Sequence, residues 1–242
     1  EALAAHADAL AVLHAAHAAL LRRIAGEAVA PIDITALREA DRALVNQVLG
    51  EGEVAAQVSG PCGLQAQESV FAGLWRVVGV DADGAVHDTL QAGACPQVLR
   101  EVAREDARGT RPDLSGTPAG VMNALPLLVE LEDQRQRWAP GQLAHVVNLT
   151  LLPLSPDDIG LIDHVLGTGR VLILSRGYGN CRITSTRLKN VWWVQYFNSM
   201  DALILNSIEI VAMPEVALAA DEDFSDSIER LREYLDMMVE PI

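Results

Sequence analysis

The sequence predicts an α+β fold built from two tandem copies of one helix–strand–helix–multistrand unit. Amphipathic segments at helical spacing alternate with short runs at strand spacing. Hairpin-length turns join the runs that follow each Gly-x-Gly pair, which favours mainly antiparallel sheets covered by helices. An internal repeat indicates a pseudo-twofold arrangement, with the sheets joined edge to edge or the copies packed through their helices.

The first half supplies one full set of elements. Residues 1–26 place leucines and an isoleucine on one stripe of an alanine-rich helix. A second helix begins after Asp33 or Thr35 and ends at Gly50. A third helix opens at Pro96 and runs to about residue 107. The predicted strands of this half are 29–34, 53–58, 70–80 and 86–92.

The second half follows the same plan. Ser155, Pro156 and Asp158 form a capping pattern that predicts the start of a helix. Asp226 and Glu229 are spaced as a second capping box, at the start of a final helix. The predicted helices are 125–138, 156–166 and 226–239, and the strands are 145–154, 170–175 and 203–211, with further strands inside 172–200.

The repeat is visible when the segment around Leu44 is laid on the segment around Leu161. The matches, without a gap, are Val48-Leu49-Gly50 with Val165-Leu166-Gly167, Gly52 with Gly169, Val54 with Val171, Gly60 with Gly177, Ser69 with Thr186, Trp75 with Trp192 and Val77 with Val194. We therefore assign residues 1–107 to the first repeat, 108–120 to a Gly- and Pro-rich linker, and 121–242 to the second repeat.

Composition excludes several classes of function. The net charge of −15 argues against nucleic acid as a partner, because nucleic-acid binding needs a basic surface. No apolar run is long enough for a membrane span, and residues 1–26 lack the h-region and cleavage site of a signal peptide. We therefore expect no membrane insertion, and the absence of a disulfide pattern suggests a reducing cytoplasm.

No metal, cofactor or catalytic set is predicted. The three cysteines are widely spaced and form no CxxC, and His14 and His17 lack a carboxylate or cysteine to complete a metal site. Each Gly-x-Gly pair follows a helix and precedes a strand, which is the reverse of the order in a dinucleotide-binding fold. Helix-ending glycines explain both pairs without a ligand.

Function is expected where the two copies differ. The stretch 172–200 of the second copy gains basic and aromatic residues, and Arg, Tyr and Trp are common at the centres of protein interfaces. Strand alternation sends Trp192 and Tyr196 to one face and Trp193 and Phe197 to the other, so one set is expected in the core. The candidate partner-binding residues are Arg176, Tyr178, Asn180, Arg182, Trp193, Tyr196, Phe197, Asn198 and Met200.

Cys181 leaves two alternatives open. A thiol beside Arg182 has a lowered pKa if the cation lies close, but a nucleophile also needs a positioned base, and none stands nearby in sequence. An iron–sulfur or metal carrier that uses Cys62 and Cys181 is the second alternative. A structural thiol is the simplest interpretation.

The second repeat contains three distinctive motifs, which are GYGNCRI at 177–183, the run W-x-VQYFNSMD at 192–201 and PEVA at 214–217. Together they resemble the hydrogenase expression/formation (maturation) proteins of the HupH/HyaF family. The resemblance covers the whole chain, although the first repeat matches more loosely. It implies a cytoplasmic, non-enzymatic accessory protein for maturation of [NiFe]-hydrogenase.

The resemblance also implies partners. The first is the iron–sulfur small-subunit precursor with its twin-arginine signal peptide, held until export, and other hydrogenase accessory proteins are further candidates. The acidic balance of the chain suits a basic signal peptide, and Asp221-Glu222-Asp223 is the expected contact for its arginines. The resemblance carries over no set of catalytic residues.

Overall fold

The computed structural model describes residues 6–108, 114, 117–177 and 179–239. The helices are α1 Ala7–Ile24, α2 Glu39–Leu49, α3 Gln97–Glu105, α4 Ala124–Arg137, α5 Pro156–Leu166 and α6 Asp221–Val239. The strands are β1 Ile32–Asp33, β2 Val54–Val58, β3 Leu64–Glu68, β4 Leu74–Val80, β5 Val86–Ala92, β6 His145–Asn148, β7 Val171–Ser175, β8 Asn180–Ser185, β9 Val191–Phe197 and β10 Leu203–Ile210. Short 3₁₀ turns occupy Leu149–Leu151 and Glu215–Ala217.

The chain divides into two compact units, one formed by Glu1–Gln97 with Leu218–Ile242 and the other by Val98–Ala217. These units do not coincide with the sequence repeats. Helix α6 is the last element of the second repeat but belongs to the first unit, and nearly all of α3, which is part of the first repeat, belongs to the second unit. The proposed repeat boundaries describe the duplication of the sequence, whereas packing groups the helices differently.

In the first unit the strands lie in the order β1-β5-β4-β3-β2, each antiparallel to its neighbours. Helices α1, α2 and α6 contribute to a core that includes Leu13, Val48 and Leu231 together with the strand residues Leu74 and Leu90. Burial of this apolar surface is the main force that holds the layers together.

Helix α6 is held in the first unit by contacts that the sequence pattern does not reveal. The ring of Phe224 lies so close to Gly73 that a Cβ at that position would stand 2.6 Å from it. The Arg230 guanidinium lies 5.5 Å from the centre of the Phe71 ring and donates a hydrogen bond to the carbonyl oxygen of Val70. Because Gly73 has no Cβ, the Phe224 ring of α6 can pack against it.

In the second unit the strands lie in the order β7-β8-β9-β10-β6, again antiparallel. Helices α4 and α5 cover part of one face, with Leu128, Ile162 and Leu166 packed in the same core as Trp193 and Ile208. No helix within the described ranges is long and apolar enough to cross a membrane.

The duplication is visible in matching hydrogen bonds. The indole N–H of Trp75 donates to the carbonyl of Gly93 at 2.9 Å, and that of Trp192 donates to the carbonyl of Val211 at 3.1 Å. Gly73 has a φ of +85° and Asn190, at the equivalent place, has a φ of +61°. The α+β class, with antiparallel strands covered by helices in a duplicated plan, is therefore confirmed.

Several element predictions were inaccurate at their ends or incomplete, and the strand expected over 70–80, for example, begins only at Leu74. Strand β3 was missed because LQAQE carries no strong apolar alternation, and only Ala66 and Glu68 of it are buried. The strands expected over 29–34 and 145–154 are shorter in the structure, where they correspond to β1 and β6, and a 3₁₀ turn follows β6. Helix α6 begins at Asp221, which places Asp226 inside the helix, so the expected capping box there is wrong.

Candidate functional site

The stretch 172–200 forms strands β7, β8 and β9, and its aromatic residues alternate between the two faces of the sheet as predicted. Both tryptophans are core residues, with Trp192 1% exposed and Trp193 8% exposed. Trp193 lies in the core beneath α4 and α5. The Trp193 side chain therefore lies beneath the candidate partner-binding surface and is not exposed on it.

The other predicted residues at the end of this stretch have distinct surroundings. Tyr196 is half-buried on the face opposite Phe197, in contact with Cys181. The Asn198 side-chain oxygen accepts hydrogen bonds from the backbone N–H groups of Met200 and Ala202, at 2.9 and 3.0 Å, and shapes the turn. Met200 is 85% exposed. Tyr178 lies outside the described residues.

Four of the predicted residues, Arg176, Asn180, Arg182 and Phe197, lie around an open groove of about 340 Å³. The groove is at the end of strands β7–β9 that α4 and α5 do not cover. We call this the β7–β9 groove; it is lined by Leu174, Ser175, Arg176, Asn180, Cys181, Arg182, Phe197 and Asp201. Strand register produces the arrangement, because Leu174 is paired with Arg182 and Asn180 with Phe197. Directly paired side chains on one face of a sheet lie about 5 Å apart.

Four members of this groove are not among the predicted partner-binding residues: Leu174, Ser175, Cys181 and Asp201. Leu174 is 44% exposed, and it was predicted only as part of the strand over 170–175. Asp201 reaches the rim because it adopts a positive φ of 56° in the turn after β9. The alternation of β7 assigns Leu174 to one face of the sheet. Its position in the groove follows only once the register of β7 with β8 is known.

The three cysteines differ in exposure, because Cys62 is exposed, Cys95 is half-buried and Cys181 is buried. Burial raises the pKa of the Cys181 thiol to about 11, although a hydrogen bond with Tyr196 opposes the shift. Burial likewise raises the pKa of Tyr196 to about 12. Cys62 is exposed in the turn before β3, and the described ranges contain no group of three or more His, Cys, Asp or Glu side chains placed to hold a metal ion. The metal-carrier alternative stays a prediction, and a protonated buried thiol does not favour it.

A buried carboxyl in the first unit has the pKa of a pH-sensitive group. Burial raises the pKa of Glu68 to about 7, the charges of Glu53 and Asp223 add to the effect, and the backbone N–H of Gly73 opposes it. This N–H lies 3.2 Å from the carboxyl oxygen. Glu68 has no base or nucleophile role in the arrangement, so its titration acts on stability.

Replacing Glu68 with glutamine is expected to stabilise the protein at pH 8 by about 2 kcal/mol and to leave it nearly unchanged at pH 4. The folded-state pKa lies above the ordinary value of 4.5, so the folded protein holds a proton that the unfolded chain releases. Wild-type stability therefore falls as pH rises from about 4.5 to about 7, and glutamine removes that loss. Urea unfolding at several pH values, followed by tryptophan fluorescence, measures it.

The control for this experiment is Glu51→Gln, which neutralises an exposed carboxylate in the same unit. We expect its pH dependence to follow that of the wild type. A Glu68→Gln variant with wild-type pH dependence between pH 4 and pH 8 would show that Glu68 is ionised normally in the folded protein.

Fold and site together define a duplicated α+β protein whose distinctive region is an open groove on a sheet face. Comparison with known proteins identifies the family. The family described as HupH hydrogenase expression protein, C-terminal conserved region, matches residues 6–116 and again residues 121–238. The chain therefore belongs to the HupH family of hydrogenase expression proteins, and the family region occurs in it twice.

Individual relatives agree. The hydrogenase expression/formation protein HoxQ of Cupriavidus necator is 53% identical over 204 residues, which cover 84% of this chain and 72% of that protein. The hydrogenase expression/formation protein HupH of Rhodobacter capsulatus is 47% identical over 207 residues, covering 86% and 73%. A solved structure of the hydrogenase expression protein HupH from Thiobacillus denitrificans is 28% identical, with a TM-score of 0.44 over 49% of this chain and 98% of that one.

Proposed function

We propose that this protein is a non-catalytic accessory protein that binds the iron–sulfur small-subunit precursor of a [NiFe]-hydrogenase in the cytoplasm, before export. Family membership supports a role in hydrogenase formation, because the matching relatives are named hydrogenase expression/formation proteins. The observation that carries the binding role is the β7–β9 groove, where residues found only in the second repeat surround an open cavity.

The chemistry of the groove favours binding over catalysis. Cys181 is one of the lining residues, and its raised pKa keeps the thiol protonated at neutral pH. A covalent mechanism requires a thiolate and a positioned base. An open groove lined by guanidinium, amide and aromatic groups is, in contrast, typical of a protein-recognition surface.

The signal peptide of the precursor is proposed to use two further surfaces. Asp221, Glu222 and Asp223 are exposed in the first turn of α6 and offer carboxylates to its arginines. Acidic residues in this position also stabilise the helix through its dipole, so they have a structural role besides. The exposed Leu203 and Ile204 of β10 offer apolar area to the hydrophobic stretch of the peptide.

The double variant Arg176→Ala/Arg182→Ala is expected to reduce recovery of the precursor at least about tenfold in a pull-down from cells that express it. Both side chains are exposed, so their removal is not expected to affect folding. The matched control is Ser59→Ala/Gln65→Ala, the exposed residues at the equivalent positions of the first repeat, which should retain full recovery.

Two outcomes would change the proposal. Failure of the wild-type protein to recover any precursor would contradict the binding role. Equal recovery of the precursor with and without its signal peptide would exclude recognition of that peptide and would leave binding to the body of the subunit.

A further inference from the structure

The β7–β9 groove has a net positive charge on an acidic protein, because its lining includes two arginines, Arg176 and Arg182, and one carboxylate, Asp201. The chain has 33 acidic and 18 basic residues, and its arginines commonly pair with carboxylates, as Arg76 does with Asp88 and Arg170 with Asp106, each at 2.7 Å. Arg176 and Arg182 are exposed, and neither forms an ion pair with a carboxylate in the described part of the chain. Where carboxylates are in excess, two unpaired guanidiniums at one groove indicate an anionic ligand from outside.

Apolar groups alternate with these charges. Leu174 is the register partner of Arg182, and Phe197 is the register partner of Asn180, so each polar side chain has an apolar neighbour on the same face. The volume of about 340 Å³ lies near the lower end of the range for ligand pockets, about 300–1,000 Å³. It admits one short segment with a few side chains.

We infer that the groove binds a segment of the partner protein that carries a carboxylate beside an apolar side chain. This inference rests on the proposed function, because it names the part of the partner that the groove accepts. Guanidiniums bind carboxylates through paired hydrogen bonds, and Phe197 and Leu174 provide apolar contact for the adjacent side chain. The arginine-bearing part of a signal peptide is repelled here and must bind elsewhere.

The position of the groove on the sheet face also decides the type of recognition. Strands β7, β8 and β9 are already paired with one another through their backbones at this point. A ligand lying on this face therefore meets side chains and not free strand edges. Its specificity depends on charge and apolar contact, and its affinity should fall with salt.

The test uses overlapping synthetic peptides that span the small-subunit precursor, labelled with fluorescein and titrated with the protein in an anisotropy assay. We expect binding by peptides that contain Asp or Glu beside Leu, Ile, Val or Phe. Arg176→Glu/Arg182→Glu should weaken these peptides at least about tenfold, and raising salt from about 0.05 M to about 0.5 M should weaken them in the wild type as well.

The matched control is Lys189→Glu, which reverses one exposed positive charge in the turn between β8 and β9, at the opposite end of those strands. It should bind the acidic peptides like the wild type. Preferential binding of arginine-rich peptides, or unchanged acidic-peptide affinity in Arg176→Glu/Arg182→Glu, overturns the inference.

Capture of the full-length precursor, measured in parallel, separates the two claims. If the wild type captures the precursor but no acidic peptide binds, the inference fails while the proposed function stands. If acidic peptides bind with the expected charge dependence but the precursor is not captured, the proposed partner is wrong and the acidic chemistry of the groove stands.

Discussion

Replacing Asp158 with alanine is expected to lower the midpoint of thermal unfolding by roughly 10 °C, the effect of losing a buried hydrogen-bond network. The fully buried carboxylate stabilises the first turns of two helices at once. One oxygen accepts from the backbone N–H groups of Met122, Asn123 and Ala124 at the start of α4, at 2.8–2.9 Å. The other accepts from Ser155 at the start of α5.

The ionisation of Asp158 follows from this geometry. Burial alone would raise its pKa, but the hydrogen bonds from the backbone at 155, 123, 124 and 122 hold the pKa well below its usual range. A lowered folded-state pKa gives stability that is present above the ordinary value of 3.8 and is lost as pH falls through the folded-state value. Alanine removes this contribution at neutral pH and leaves the backbone donors of Met122, Asn123, Ala124 and Ser155 without this acceptor, and the donor of Ala124 is buried.

The control for Asp158→Ala is Asp157→Ala, which removes the same charge from the same first turn at an exposed position. We expect it to shift the midpoint by about 2 °C or less, the effect of a helix-dipole contact alone. Thermal unfolding followed by circular dichroism compares the two. Equal shifts would mean that charge in the first turn, and not the link between helices, determines the effect.

Replacing Gly52 with alanine is expected to destabilise the protein by about 3 kcal/mol. A Cβ at this position would collide with the backbone carbonyl oxygen of Ser69, and backbone cannot move aside as the end of a side chain does. The glycine N–H also donates to the carbonyl of Glu68 at 2.7 Å, which fixes how closely the two segments approach. Urea unfolding measures the change.

Two further glycine variants control this result. Gly169→Ala, at the equivalent position of the second repeat, meets the Ser185 hydroxyl first. This side-chain group can move once its hydrogen bonds with Val171 are broken, so the cost should be smaller than at Gly52. Gly160 lies inside α5, where a Cβ meets nothing within 4 Å, and alanine there should stabilise by about 0.5–1 kcal/mol. Similar costs for Gly52→Ala and Gly160→Ala would contradict the steric explanation.

The glycine pairs also show how far sequence reasoning reached. Their position between a helix and a strand predicted that they end helices and bind no nucleotide, and Gly50 and Gly167 are the C-terminal caps of α2 and α5. The need for glycine at 52 and 169 came instead from segments that approach in space. The capping role was predictable from the sequence. The close approach of the segments at Gly52 and Gly169 was visible only in the folded structure.

The role of Asp158 was likewise predictable from the sequence only in part. The pattern Ser155-Pro156-x-Asp158 predicted a capping box, which the structure confirms. The second half of its role, at the start of α4, was not visible because it joins residues that are far apart along the chain. At the equivalent position of the first repeat, Asp41 is also fully buried, and there it lies 2.9 Å from His6 and 2.6 Å from Arg38.

The candidate surface was predicted in part. The difference between the two copies singled out Arg176, Asn180, Arg182 and Phe197, which the strand register brings to one groove. The same difference singled out Trp193, which α4 and α5 cover, and it passed over Leu174, which they leave exposed. Strand alternation assigns a residue to a face, but only the placement of the helices decides which part of that face is bare.

The sequence by itself determined the duplicated plan, the class of most major elements, the alternation of β9 and the residues that set the second copy apart. These features depend on contacts within a turn or two of the chain or on the comparison of one half with the other. The tertiary structure alone decided that α6 joins the first unit, that nearly all of α3 joins the second, and that the β7–β9 groove stays open. The physical reason is that apolar burial has no direction of its own, so the partner of each apolar face is selected by packing over the whole fold.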